Sequence, residues 1–256
     1  MSEQKWPQRL WIVRHGQSAG NIARDAAEAA ATPLIDIATR DMDTPLSPPG
    51  ERQATALGRW FGAMPREHQP TIVLCSPYVR AVQTARLALR TAGIDADALT
   101  LHEDERLREK EFGVLDRLTK VGIREKYPEL SEQRAHVGKF YFRPPGGESW
   151  CDVILRLRSV LDTLTREYRR ERVLIVAHQV IVNCLRYLLE RMSEAQIMSI
   201  DRAADVANCS VTSYEFDPRA GRAGKLVPRL VNFVAPLAEA GAAITSEPDV
   251  PAAPKP

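Results

Sequence analysis

The chain has 256 residues, with 35 Lys and Arg against 33 Asp and Glu, a formal net charge of +2. Hydrophobic residues make up 44% and charged residues 27%, the balance of one soluble globular domain, and the near-neutral charge argues against a general nucleic-acid binder. A compact chain of this length buries roughly 70–75% of its unfolded surface and needs no disulfide or metal staple; Cys75, Cys151, Cys184 and Cys209 form no CxxC pair and read as small buried apolar residues.

The start, MSEQKWPQRLWIV, lacks the apolar core of a signal peptide. Leu10 to Val13 is a short apolar run, read as a fully buried strand. Residues 16–45 are Ala-, Asp- and Thr-rich, read as a loop with some helix. Ser47-Pro48-Pro49-Gly50 opens a helix, with Ser47 as N-cap, Pro48 at its first position and Ala54, Leu57 and Phe61 on one face. Thr71 to Cys75 is a second strand, followed by a helix from about Tyr78 to Thr91, and Leu99 to Leu101 a third strand.

Ser149 with Asp152 resembles a capping box. Behind it Val153, Leu157, Val160, Leu161, Leu164 and Tyr168 recur at helical spacing. Val173 to Ala177 is another buried strand, Val180 to Glu190 a helix, and Ser193 with Gln196 caps a further short helix. The apolar stretch from Val173 to Leu185 is broken by His178, Gln179 and Asn183 and is too short to span a bilayer. Residues 209–216 and 226–234 read as late strands, a hairpin around Pro218 to Gly224. Residues 1–235 are expected to form one domain, and the Ala/Pro-rich remainder, 236–256, a disordered tail. Strands alternating with helices predict a three-layer α/β/α domain with a mainly parallel sheet.

Ligands of such sheets bind beyond the carboxyl ends of the strands. There the sequence places Arg14-His15-Gly16-Gln17-Ser18 with Asn21 beyond, Ser76 to Arg80, and His178-Gln179. Each residue alone has an ordinary reading: a satisfied core histidine, a surface ion-pair arginine, a solvated acidic face at 103–111. Jointly, two Arg, two His, an Asn and a Ser describe an oxyanion site. Arg forks match phosphate, and a neutral imidazole is a nucleophile at pH 7. Phosphoryl transfer also needs an acid for the leaving alkoxide, and Glu103, Asp104, Glu105, Glu109 and Glu111 are all candidates. His102 beside Glu103 lacks a second ligand at metal spacing.

These residues resemble the histidine phosphatase superfamily, of phosphoglycerate mutase-like fold. Arg14-His15-Gly16 is similar to its RHG triplet. Asp43-Thr44-Pro45-Leu46-Ser47 with Gly50 and Gln53-Ala54, Ser76-Pro77 through Arg80 with Gln83-Thr84-Ala85, Leu107-Arg108-Glu109 with Phe112-Gly113, and Pro145-Gly146-Gly147-Glu148-Ser149 follow in the family's order. The resemblance implies that His15 becomes the phosphohistidine, Glu109 is the proton donor and His178 the second catalytic histidine. Arg14, Arg80 and Asn21, with Ser18, Gly16, Gln17 and the backbone amides of 16–18, are expected to cradle the phosphate. Gln17 and Gln179 depart from the family's usual acidic residue and Gly, and bear on substrate rather than chemistry.

The expected protein is a cytoplasmic, metal- and cofactor-independent phosphomonoesterase acting on a small phosphorylated metabolite, with neither nucleic acid nor membrane as partner. Two rivals remain, a phosphoglycerate mutase-type transferase and a non-catalytic phospholigand-binding module. Dedicated mutases carry, by resemblance, a longer insertion after the proton donor, whereas 36 residues separate Glu109 from Gly146 here.

Overall fold

The computed structural model describes residues 4–94 and 101–246. Strands β1 (Arg9–Arg14), β2 (Ile72–Cys75), β3 (Leu101–Glu103), β4 (Arg172–Ala177), β5 (Val211–Asp217) and β6 (Lys225–Phe233) form one sheet in the order β3-β2-β4-β1-β5-β6. The first four run parallel, β5 pairs antiparallel with β1, and β6 antiparallel with β5. The expected mainly parallel sheet is therefore present, extended on one side by a hairpin.

Alternation along the central strands separates two cores. Leu10 and Ile12 of β1, with Val173, Ile175 and Ala177 of β4, face α6 (Trp150–Glu167), α7 (Gln179–Glu190) and α8 (Glu194–Ala203). Trp11, Val13, Leu174 and Val176 point the other way, onto α2 (Pro48–Gly62) and α3 (Val79–Thr91). Both faces of the strands are covered, which is why they read as continuous apolar runs. The helix starts follow the sequence: Ser47 Oγ accepts from the Gly50 amide, and Ser149 and Ser193 form capping boxes with Asp152 and Gln196.

Several elements depart from the sequence reading. Part of the expected loop at 16–45 is α1 (Ala19–Ala29), started by a Ser18–Asn21 capping box. Two short helices, α4 (Lys120–Lys126) and α5 (Pro128–Val137), occupy a stretch given no element. They share a separate small core in which Leu115, Leu118, Ile123, Leu130 and Phe142 are buried. The third strand starts at Leu101 and runs on to Glu103, while residues 99 and 100 lie outside the described residues.

The expected disordered tail is corrected over 236–246. Ala235–Glu239 form α9, and Leu237 is fully buried against α2 and the sheet. Buried Leu237 and Pro236, with hydrogen bonds from Gln53 and Asn208 to Ala243 and Thr245, dock a segment whose Ala/Pro-rich composition gives little sign of it. Residues 247–256 lie outside the described residues. No helix among the described residues is long and apolar enough to cross a membrane.

Candidate active site

The paired rungs of β1 and β4 end at Arg14 opposite Ala177, so His15 and His178 take the next position on adjacent parallel strands. The His15 amide still donates to Ala177 O at 2.9 Å, and the Ser76 amide beyond β2 donates to Val176 O at 3.0 Å. Neighbouring strands lie about 4.8 Å apart, and the two imidazole centroids are 5.1 Å apart. Backbone pairing alone thus brings together side chains 163 positions distant in the chain.

His15 is 3% exposed. Its Nδ1 lies 2.7 Å from Gly16 O, which can only accept, so Nδ1 carries the ring proton. Nε2 keeps its lone pair and accepts from Arg80 Nε at 3.2 Å. Burial, then the charges of Arg80 and Arg14, hold the His15 imidazole well below its ordinary value, outweighing the Gly16 hydrogen bond. The ring is neutral at pH 7.

His178 is wholly buried, and burial followed by Arg80, His15 and Arg14 lowers its pKa likewise. Ser76 Oγ accepts from the Tyr78 amide at 3.3 Å and lies 2.7 Å from His178 Nε2. The hydroxyl can donate to Nε2, which puts the ring proton on Nδ1, or accept from it. His178 Nδ1 has no hydrogen-bond partner among the described residues and lies 3.8 Å from Glu109 Oε2.

Of the five candidate acids, only Glu109 meets a histidine. Asp104 is held by Arg106, with bonds of 2.6–3.2 Å, Glu111 accepts from the Tyr78 hydroxyl, and Glu103 faces Arg86. Glu148 fixes the loop carrying Glu109. It takes Arg156 at 2.9 and 3.0 Å, Arg108 at 2.9 Å and the Glu111 amide at 3.0 Å, while Arg156 also donates to Glu109 O at 3.2 Å. Burial pushes the Glu148 carboxyl up, but the Arg156 bonds and nearby guanidinium charges outweigh it and hold it low. Gly113, at φ 55°, lies on the same loop, where a Cβ would come within 2.1 Å of Pro145 O.

Arg14, Arg80, Ser18, Asn21, His15 and Glu109 line one open cleft of about 750 Å³, counting the solvent in its mouth. The wall includes Phe112, from the segment that follows Glu109, and Arg24, Ile35, Ile37, Asp116 and Arg117, side chains the sequence did not single out. Arg80, buried at 5% exposure, donates through Nη1 to Asp41 O (2.6 Å) and through Nη2 to Asp41 Oδ2 (3.1 Å). Asp41, on a short 3-10 turn, was missed because nothing near it in sequence signals a partner in α3. Asn21 Oδ1 accepts from both Ser18 N and Ser18 Oγ at 2.8 Å, which leaves its Nδ2 as the end for the cleft.

Three expectations for the cradle are corrected. Gly16 and Gln17 do not line the cleft, and the backbone amides of 16–18 already have partners. Gly16 N donates to Thr84 Oγ1 (3.0 Å), Gln17 N to Gln53 Oε1 (2.8 Å) and Ser18 N to Asn21 Oδ1 (2.8 Å). The Gln17 side chain accepts from Ser47 Oγ at 2.9 Å. The hydroxyl of Ser18 is committed to capping α1, so this residue borders the cleft as a cap. His178 lies beside His15 and Glu109 rather than on the cleft wall. Gln83 and Thr84 support the loop: Gln83 Oε1 accepts from Leu46 N, and Thr84 Oγ1 donates to Arg80 O.

A neutral imidazole set between arginines at the carboxyl edge of a parallel sheet defines a phosphoryl-handling α/β protein. The family model described as histidine phosphatase superfamily (branch 1) matches residues 10–227, and the chain belongs to that superfamily. Its members are phosphatases or mutases.

A 6-phosphofructo-2-kinase/fructose-2,6-bisphosphatase of Caenorhabditis elegans is 31% identical over 224 residues, 84% of this chain and 43% of its own length. The chain thus spans less than half of that relative. A 2,3-bisphosphoglycerate-dependent phosphoglycerate mutase of Azorhizobium caulinodans is 30% identical over 198 residues, 76% of this chain and 87% of its own. Among solved structures, Bacillus stearothermophilus YhfR shares the fold at a TM-score of 0.69 and 24% identity, covering 90% of this chain and 98% of its own. The phosphate complex of a mycobacterial glucosyl-3-phosphoglycerate phosphatase aligns at 0.65 and 25% identity, covering 90% and 99%.

Proposed function

We propose that the protein is a metal-independent phosphomonoesterase that works through a phosphohistidine on a small phosphorylated metabolite. One observation carries the reading: His15 Nδ1 donates to Gly16 O, which turns the Nε2 lone pair to Arg80, and burial with two arginines favours the neutral ring. In the proposed first step the Nε2 lone pair forms an N–P bond as the ester P–O bond breaks. Glu109 gives its carboxyl proton to the departing alkoxide. In the second step the Glu109 carboxylate takes a proton from water, whose oxygen attacks phosphorus and restores the His15 lone pair.

Arg14 and Arg80 hold charge on the equatorial oxygens. The buried His178 Nδ1, beside both His15 and Glu109 and without a partner among the described residues, suits a phosphoryl oxygen in the tautomer that carries its proton there. Arg24 and Arg117 add positive charge to the cleft's outer wall, in keeping with a compact anionic substrate. The carboxylate near His178 counts against a passive phosphate binder, in which a negative group at that place would only repel the ligand.

A mutase would use the same residues but return the phosphoryl group to a second hydroxyl of the bound molecule. The open mouth of the cleft admits water to the intermediate and favours hydrolysis. Incubation with labelled phosphomonoesters is expected to give an acid-labile, base-stable phosphoprotein and free phosphate without positional isomer. Label that persists in His15→Ala overturns the assignment of the nucleophile, and isomerisation without phosphate release overturns hydrolysis.

A further inference from the structure

The loop that carries His15 is propped by two buried amide side chains. Asn208 Nδ2 donates to His15 O at 2.9 Å, and Gln53 Oε1 accepts from Gln17 N at 2.8 Å. Both side chains are fully buried, and they come from unrelated places, Asn208 just before β5 and Gln53 from α2. Both reach the same residue, Thr245, in the docked C-terminal segment. Thr245 Oγ1 accepts from Gln53 Nε2 at 2.8 Å and donates to Asn208 Oδ1 at 3.0 Å. The backbone reinforces the tie, with Asn208 N donating to Thr245 O at 2.9 Å and Gln53 Nε2 to Ala243 O at 2.8 Å. Upstream, Leu237 anchors the segment in the core.

We propose that Thr245 is a positioning residue for the reacting histidine, its single hydroxyl locking the two amides that hold either side of residues 15–17. The geometry asks for one group that both donates and accepts. An amide NH₂ approaches the hydroxyl from Gln53 and an amide oxygen receives its hydrogen at Asn208, so a hydroxyl satisfies both while a methyl satisfies neither. Thr245→Val keeps the shape of the side chain and leaves Asn208 Oδ1 buried without that donor, which frees the Asn208 amide to tilt. His15 O then loses its fixed anchor, and the ring on the same residue shifts relative to Arg80. Displacements of this kind act on rate far more than on binding. The inference rests on the phosphohistidine reading for its kinetic arm alone.

The test compares full-length Thr245→Val, Thr245→Ser and, as a control, Ser246→Ala at the exposed neighbouring position. Two measurements are made: turnover of para-nitrophenyl phosphate, and amide hydrogen exchange. In Thr245→Val, kcat is expected to fall about tenfold with KM within about twofold. Exchange at the Gln17 amide speeds up while that at Trp11 inside β1 does not. Thr245→Ser restores both readouts, and Ser246→Ala matches the wild type. The proposal is overturned if Thr245→Val keeps wild-type kcat and Gln17 exchange, if Thr245→Ser is as impaired as Thr245→Val, or if exchange quickens equally at Trp11. Should the wild type release no phosphate from any phosphomonoester, the phosphatase reading fails, and exchange at Gln17 still decides the role of Thr245.

Discussion

Arg80 divides its N–H donors between two partners, Nε toward His15 Nε2 and the two Nη groups toward Asp41. On the proposed reading, an incoming phosphate would compete with the Asp41 carboxylate for the same fork. Because Asp41 is about half exposed, the ion pair contributes about 1 kcal/mol at most. Asp41→Asn is therefore expected to strengthen inhibition by inorganic phosphate, with Ki falling about threefold to fivefold. Steady-state inhibition measures this, and an unchanged or higher Ki rejects the competition. At Glu109, replacement by Gln keeps the shape and removes the transferable proton. Turnover should drop about 100-fold or more while KM moves little, and equal losses in affinity would assign Glu109 to binding instead. Since His15 is already neutral well below pH 6.5, kcat/KM should not halve near pH 6.5 on the acid side. A limb found there would mean that the ring titrates as an ordinary histidine.

Elements act here mainly through where they end. The loop that follows His15 passes so close to the start of α2 that a Cβ on Gly50 would lie 2.0 Å from Gln17 O. Gly50→Ala is expected to cost about 2–3 kcal/mol, lowering Tm by roughly 5–10 °C; a melt within 2 °C of wild type, well under roughly that range, would refute the close approach. The long elements were legible because their signals are strong: Ser47-Pro48 and Ser149-x-x-Asp152 mark helix starts, and Leu10 to Val13 is apolar without a break. The short ones were not. Lys120–Lys126 contains Gly122 and buries Ile123 as its one large side chain, and Pro128–Val137 is polar nearly all round, so neither shows a period. At the site, strand ends pointed to His15, His178 and Arg80. Gln53 was marked only as part of the family-ordered segment, without its contact to Gln17, while Asn208, Asp41 and Thr245 reach the site through contacts between remote segments that no local pattern marks.

For the molecule as a whole, two buried imidazoles link stability to acidity. Both are held below the ordinary value of 6.5 in the folded chain, so the unfolded chain binds more protons between the two sets of values. Their stabilising contribution is complete above about pH 6.5 and declines as pH falls from there toward the folded values, by up to about 1.4 kcal/mol per pH unit for each ring. Urea unfolding at pH 7.5, 6 and 5 reads this before most carboxylates titrate. Constant stability across that range would show that the rings are not buried neutral.

The placement of His15 and His178 one step past the last rung shared by β1 and β4 has an evolutionary corollary. Their spacing is inherited from the peptide ladder and owes nothing to the walls of the cleft. Residues around 22–40 and 112–117, which leave out Asn21, Asp41 and Glu109, can therefore be exchanged, lengthened or recharged to accept a different molecule while the two histidines keep their separation. A graft of those two segments from a relative with another preference should move selectivity without abolishing transfer. In this architecture the sheet sets the spacing of the two imidazoles, and the loops other than the one that holds Glu109 are where the cleft can diversify.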